Sequence, residues 1–303
     1  MAALRAPLSN GRWHFQHGPI DLVIGAVGEA AALRAAHDAA WRRFDGLLAA
    51  LVGELPALRS AVVAGPCPLR GPVARAMWQA CAPYRAGFIT PMAAVAGAVA
   101  QALIGCYERD RIAKAWVNNG GDIALHLAPG HSVKVGLFAD VDDLADLARR
   151  DPSDGAPALD GRFEVHAAMP VRGIATSGWR GRSFSLGIAD SVTVLARTAA
   201  MADAAATVIT NAVNVDDARI QRRPANEIVD DSDLGARAVT VGVPALEPAQ
   251  VGHALRAGQR RAGALARAGL IHAAFLVCQH RCARVEAAAQ FTRELEIEGG
   301  ACC

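Results

Sequence analysis

Aromatic residues make up only 5% of this 303-residue chain, and lysine occurs only at Lys114 and Lys134. With 31 basic against 29 acidic residues and a formal charge of +2, the sequence offers neither a phosphate-tracking basic face nor a platform for stacked bases, so nucleic acid is not an expected partner. Common catalytic signatures are missing: no G-x-x-x-x-G-K-[ST] loop, no G-x-G-x-x-G after the first expected strand, no G-x-S-x-G elbow, no H-E-x-x-H and no C-x-x-C. Each absence disfavours the enzyme class built on that geometry. The cysteines at 67, 81, 106, 278, 282, 302 and 303 form an odd set without repeating spacing, which fits a reducing compartment better than a disulfide framework. Residues 1–18 carry Arg5, Arg12, His14 and His17 and no apolar run, so a cleaved signal peptide is not expected and the location expected is cytoplasmic. The long uncharged run at 86–107 has the length of a membrane span but contains Thr90, Pro91, Gly97, Gln101 and Gly105. It reads as a segment buried in protein, and no membrane partner is expected.

Apolar material is ample. Hydrophobic residues at 52% beside 20% charged exclude a disordered chain. A strand is expected over 20–25, and Trp41, Phe44, Leu48, Leu51 and Leu55 step by three and four through 29–55 as one apolar stripe of a helix. Pro72 opens a second helix to about 82 and Pro91 a third to about 107, because proline at a first helical position loses no hydrogen bond. Within the third, Gly97 suggests close approach by another backbone. Short β-rich pieces follow at 113–117, 123–127, 133–138, 163–167 and 191–195, then a helix over 198–213 and a polar surface excursion over 216–233. A strand over 238–243, a helix over 248–268 and a strand over 271–278 complete the pattern. No repeat, linker or composition break divides it, so the expectation is a single α/β domain over 1–303, a mixed sheet with packed helices.

A few segments remain as carriers of chemistry. In Thr198-Ala-Ala-Met-Ala-Asp203-Ala-Ala-Ala-Thr207, Asp203 and Thr207 are four apart and share a helix face, among alanines too small to obstruct a ligand. A carboxylate and a hydroxyl are hard oxygen donors that suit Mg2+ better than Zn2+. The alternative is that Asp203 caps the helix or faces solvent while Thr207 bonds back to a carbonyl. Asn118-Asn119-Gly120-Gly121-Asp122 places two glycines between β-like runs. A hairpin turn needs nothing more; the functional alternative is a backbone amide that touches a phosphate where Cβ atoms are missing. Gly173-Ile-Ala-Thr176-Ser177-Gly178 reads as a loop with two hydroxyl donors, beside Arg180 and Arg182, which meet an anion or merely solvate the loop. Cys278, His280 and Cys282 alternate, so on a strand they would point to one face, with Cys302 and Cys303 available for a zinc set; the apolar approach to them reads as core.

Taken in order, T-P-M-A-A-V-A-G-A at 90–98, N-N-G-G-D-I at 118–123, G-I-A-T-S-G at 173–178, D-S-V-T-V at 190–194 and A-D-A-A-A-T at 202–207 resemble the motifs of the ApbE-like superfamily, which includes the FAD:protein FMN transferases. The resemblance covers 85–215 and implies a short cytoplasmic branch with an ApbE-type α/β fold. It also implies Mg2+ held by Asp203, Thr207 and a backbone carbonyl at Ala93. A site for FAD or another pyrophosphate nucleotide would be lined by Asn119, Gly120, Gly121 and Asp122, and by Thr176, Ser177, Gly178 and Ser185. The implied chemistry is phosphoryl transfer, in which an acceptor threonine hydroxyl attacks and AMP leaves. Two departures bear on it. Ala96 stands where the family usually has the lysine of G-x-x-K-G, and residues 183–190 replace a histidine-bearing H-x-I-D-P-x-T-G stretch, removing a cation and a general base. Three readings follow: a flavin-transferring enzyme, a flavin or metabolite binder without turnover, and a related enzyme of cofactor biosynthesis with a different substrate.

Overall fold

Alternating apolar and polar residues shape the first strands. In the computed structural model, which describes residues 2–137 and 161–287, β1 (Leu4–Pro7), β2 (Trp13–His17) and β3 (Ile20–Gly28) pair antiparallel in succession. Phe15, Leu22 and Ile24 point inward from β2 and β3 and are fully buried. β4 (Ile112–Asn119) and β5 (Asp122–Leu127) continue the antiparallel run. β6 (Ser132–Leu137) pairs with β7 (Gly161–His166) as a separate ribbon. β8 (Gly173–Ser177), β9 (Ser191–Ala196), β12 (Ala273–Cys278) and β13 (Arg281–Glu286) complete a sheet of order β1-β2-β3-β4-β5-β8-β9-β12-β13, while β10 (Gln221–Pro224) and β11 (Ala238–Gly242) form a second ribbon. The fold is therefore mixed α/β with a large, mainly antiparallel sheet.

The described residues gather into two compact units, the first from 2–132, 166–175 and 195–205, the second from 133–137, 161–165, 176–194 and 206–287. In the first are α1 (Ala30–Asp45), α2 (Leu47–Val52), α3 (Leu55–Leu58), α4 (Pro72–Cys81) and α5 (Val95–Ile104); α1 packs with β2 and β3, α5 with β4 and β5, and α2 and α4 with α1 and α5 respectively. The stripe expected as one helix over 29–55 is three helices, broken at Gly46 and Gly53; of its residues Phe44 and Leu51 are buried, while Trp41, Leu48 and Leu55 are half-buried. Phe15 meets Trp41 edge-on at 5.2 Å and Phe44 at 5.4 Å between ring centroids. Rings of that size, fully buried, each contribute about 1.5–3 kcal/mol. The third expected helix begins with a short 3-10 turn, Pro91–Ala94, before α5 starts at Val95.

In the second unit, α7 (Pro248–Arg267) starts with a reciprocal cap between Glu247 and Gln250. A Cβ on Gly258 of α7 would lie 2.4 Å from a Val213 methyl and 2.6 Å from a Leu276 methyl, so glycine is what allows that packing. Phe163 stacks on Phe275 at 5.8 Å. The segment 173–178, read as a loop, is largely the strand β8. No helix among the described residues is long and apolar enough to cross a membrane.

Candidate functional site

α6 (Ala199–Ala212) carries Asp203 and Thr207 on a rod of alanine; Ala199, Ala202, Ala204, Ala205 and Ala206 are fully buried. Two glycines bring other backbone onto the start of this helix. A Cβ at Gly97 would lie 2.3 Å from the Ala199 carbonyl oxygen and 2.9 Å from Asp203 Cβ, and one at Gly173 would lie 2.1 Å from the Thr198 carbonyl carbon. The close approach read from Gly97 is thus present, and it seats the first turn of α5 against Asp203. There the Gly97 N–H donates to Asp203 Oδ2 at 2.9 Å, and the Ala96 N–H also bonds the carboxylate. A helix N-terminus, with unsatisfied N–H groups and the positive end of its dipole, is a favourable seat for an anion.

The same peptide is gripped from its other side. Asn119, 4% exposed, donates from Nδ2 to the Ala96 carbonyl at 3.1 Å. Asn119 sits where β4 turns into β5: Gly120 and Gly121 have φ of +64° and +107°, Asn119 pairs with Asp122, and the Asn118 side chain accepts the Gly121 N–H at 2.8 Å. This two-residue hairpin needs glycine for its left-handed backbone. A Cβ on Gly121 would meet nothing within 4 Å, so that side of the turn is open.

Asp203 still reaches solvent with part of its surface, but protein crowds it, and no basic side chain pairs with it among the described residues. Burial pushes its carboxyl up to about 7, against the two backbone N–H bonds, which pull it down. Thr207, one turn on, is half-buried, and its hydroxyl makes no hydrogen bond among the described residues. Of the alternatives for the pair, Asp203 does cap a helix, but it is the start of α5 and not of its own helix, while Thr207 does not bond back to a carbonyl. Ala93 lies in the turn leading into α5, its N–H bonded to the Thr90 carbonyl.

The hydroxyl segments of the second unit are more fully engaged. Thr176 and Thr193 share a 2.9 Å hydroxyl bond, and the Ser177 carbonyl accepts from Thr210 at 3.3 Å. A Cβ on Gly178 would lie 2.0 Å from the Asp190 carbonyl oxygen, so protein backbone already fills the space that its missing side chain leaves. Ser185 is buried, accepts the Gly187 N–H at 3.0 Å and lies 3.3 Å from Asn211 Oδ1. Arg180 lies over the Trp179 ring at 5.1 Å, and Trp179 Nε1 donates to Asp190 at 3.2 Å.

The alternation of Cys278, His280 and Cys282 along one strand does not occur. Cys278 ends β12, Gln279 and His280 form the turn with φ of +45° and +61°, and Cys282 lies on β13 opposite Val277. Burial pushes the Cys278 thiol up to about 12, which disfavours the thiolate a metal needs. Cys302 and Cys303 lie outside the described residues, among which no cluster of three or more His, Cys, Asp or Glu could hold a metal ion. Residues that sequence reasoning did not single out are Gln279, which receives the Asp190 carboxylate at its N–H, and Asn211, which accepts the Leu186 N–H at 2.8 Å; single amides in apolar runs carry no sequence signal.

A family model described as "AbpE bacteria" matches residues 5–289, and the chain belongs to the ApbE-like superfamily. It is 39% identical over 173 residues to a UPF0280 protein of Methanopyrus kandleri, covering 56% of this chain and 61% of that one. A UPF0280 protein of Methanospirillum hungatei is 37% identical over 141 residues, covering 46% of this chain and 50% of that protein. The chain thus spans about half to three-fifths of the length of these relatives. The solved ApbE protein of Thermotoga maritima is similar over 79% of this chain and 93% of its own, at 14% identity and a TM-score of 0.32.

Proposed function

We propose that the protein is a Mg2+-dependent enzyme that binds FAD or another pyrophosphate-containing nucleotide, resembling the FAD:protein FMN transferases. The supporting observation is the Asp203 carboxylate, half-buried, oriented by the Gly97 and Ala96 N–H groups and paired with no basic side chain among the described residues. That donor set fits a hard dication: Asp203 supplies charge, Thr207 an uncommitted hydroxyl oxygen, and the turn at Ala93 a backbone carbonyl. Mg2+ bound there would neutralise charge on a pyrophosphate. The chain's own contribution is positional. Asn119 holds the 96–97 peptide, that peptide holds Asp203, and the open Gly120–Gly121 turn leaves room for a nucleotide. Calorimetric titration with Mg2+ and FAD tests the reading: saturable, Mg2+-dependent binding is expected, and binding unchanged in Asp203→Ala would sink it.

A second reading, a flavin or metabolite binder without turnover, is favoured by the state of Ser185. It lies within the 183–190 stretch that replaces the family's histidine-bearing segment, and its hydroxyl is buried and engaged with Gly187 and Asn211, so it is not placed to take a proton from an acceptor. Incubation with FAD separates the two, since only the enzyme releases AMP.

A further inference from the structure

Three helical stretches of the first unit, α1–α2, α4 and α5, enclose a groove of about 410 Å³. Sites for small molecules typically hold about 300–1,000 Å³. Leu47, Leu51 and Val73 form apolar wall, and Ala50, Ala98 and Ala102 are too short to fill the space. Three polar side chains reach the groove, and two of them are committed. Glu54 takes the Arg70 N–H at 2.6 Å on one oxygen and the Gly71 N–H at 2.8 Å on the other, just ahead of Pro72. Gln101 Oε1 accepts the Ala200 N–H at 3.3 Å.

Arg43 differs. Its Nη1 donates to the Ala102 carbonyl at 2.7 Å, which anchors the guanidinium at the C-terminal end of α5, and no carboxylate pairs with it among the described residues. A guanidinium carries five N–H donors in a fixed fork, so most of them remain available. A fixed cation at one side of an apolar trough selects a molecule with an anionic head and a hydrocarbon body. A single fork matches the two oxygens of a carboxylate. An ammonium head is disfavoured because Arg43 repels it, while the Glu54 carboxylate is held by the Arg70 and Gly71 N–H groups.

We propose that this groove is a second binding site, for a small aliphatic carboxylic acid whose carboxylate pairs with Arg43 and whose chain lies along Leu47, Leu51 and Val73. This proposal stands apart from the nucleotide reading, since it needs neither metal nor flavin.

Calorimetry with octanoate, octanol and octylammonium, on protein free of nucleotide and metal, tests it. The expected result is saturable one-to-one binding of octanoate, at least about tenfold weaker binding of octanol, and none of octylammonium. Arg43→Gln should bring octanoate to the level of octanol, and Ala50→Trp should block both; each residue is exposed, and circular dichroism checks that both variants fold. Octanoate that fails to saturate, that binds no better than octylammonium, or that binds either folded variant as it binds the parent overturns the proposal.

Discussion

Two aspartates, one in each unit, live under opposite electrostatic conditions. Asp217 receives the Arg219 guanidinium on both oxygens and the Gln250 amide at 2.7 Å, and these bonds hold its carboxyl well below the usual range. Asp203 also accepts two hydrogen bonds, but both come from backbone N–H groups, and burial carries its carboxyl the other way. What separates the two is burial, which dominates at Asp203, against the hydrogen bonds from Arg219 and Gln250, which dominate at Asp217. A carboxylate with its own arginine is a finished piece of structure, whereas one that is buried without a countercharge is a place where an external cation gains the most. Ser185 belongs with Asp217 in this respect, since its partners are all internal.

The largest expected effect comes from removing the uncompensated charge. If Asp203 holds Mg2+, a ligand at a hundred times its dissociation constant stabilises the wild type by about 2.7 kcal/mol. Thermal melts with and without Mg2+ should show that gain in the wild type and lose it in Asp203→Asn, while Asp217→Asn keeps it. A shift that persists in Asp203→Asn breaks the comparison.

The next largest effect tests how the carboxylate is seated. Gly97→Ala puts a methyl 2.3 Å from the Ala199 carbonyl oxygen, a backbone atom that cannot swing aside. Overpacking of this kind costs about 1–3 kcal/mol, so the urea midpoint should fall accordingly. A midpoint equal to that of the wild type would mean that α5 and α6 do not press together at this point.

Much of this was legible in the sequence, for reasons particular residues make plain. Pro72 and Pro91 mark helix starts by chemistry local to one residue, and the alanine helix with Asp203 and Thr207 is read from spacing alone. The break of the 29–55 stripe at Gly46 and Gly53 was not legible, because the apolar steps carry across the breaks, although past Gly46 the buried residue is Leu47 and not Leu48. Short strands such as β1, whose four residues are all exposed, and β13, with its arginines, give no alternating signal strong enough to read. The segment 173–178 looked like a loop because its glycines suggest turns, yet Gly173 and Gly178 serve close packing against Thr198 and Asp190. At the site, the pair on α6 could be found by spacing. The grip of Asn119 on Ala96, and the missing countercharge at Asp203, depend on contacts between residues far apart in the chain.

That grip supplies a smaller test. Asn119→Ala removes the hydrogen bond to the Ala96 carbonyl, which keeps its place in the α5 ladder, at a cost of about 0.5–1.5 kcal/mol read from the urea midpoint. If Asn119 also fixes the peptide that orients Asp203, Mg2+ affinity should fall by about tenfold, as for residues that orient metal ligands. Loss of stability with unchanged Mg2+ affinity would make Asn119 purely structural.

The smallest effect is a pair of slopes with opposite sign, read in metal-free protein. The folded-state pKa of Asp217 is depressed, so its contribution is present at neutral pH and lost as pH falls below the ordinary carboxylate range. Asp217→Asn should therefore be less stable than the wild type at pH 7, with the difference closing as the solution is acidified. Asp203 has a raised folded-state pKa, so its contribution is present below the ordinary carboxylate value and is lost as pH rises toward about 7. With a chelator present, Asp203→Asn should match the wild type near pH 4 and gain on it as pH rises to 7. Urea midpoints of the three proteins across that range give the answer. Curves that bend the same way for both variants would show that a cation, or an equivalent, already serves Asp203.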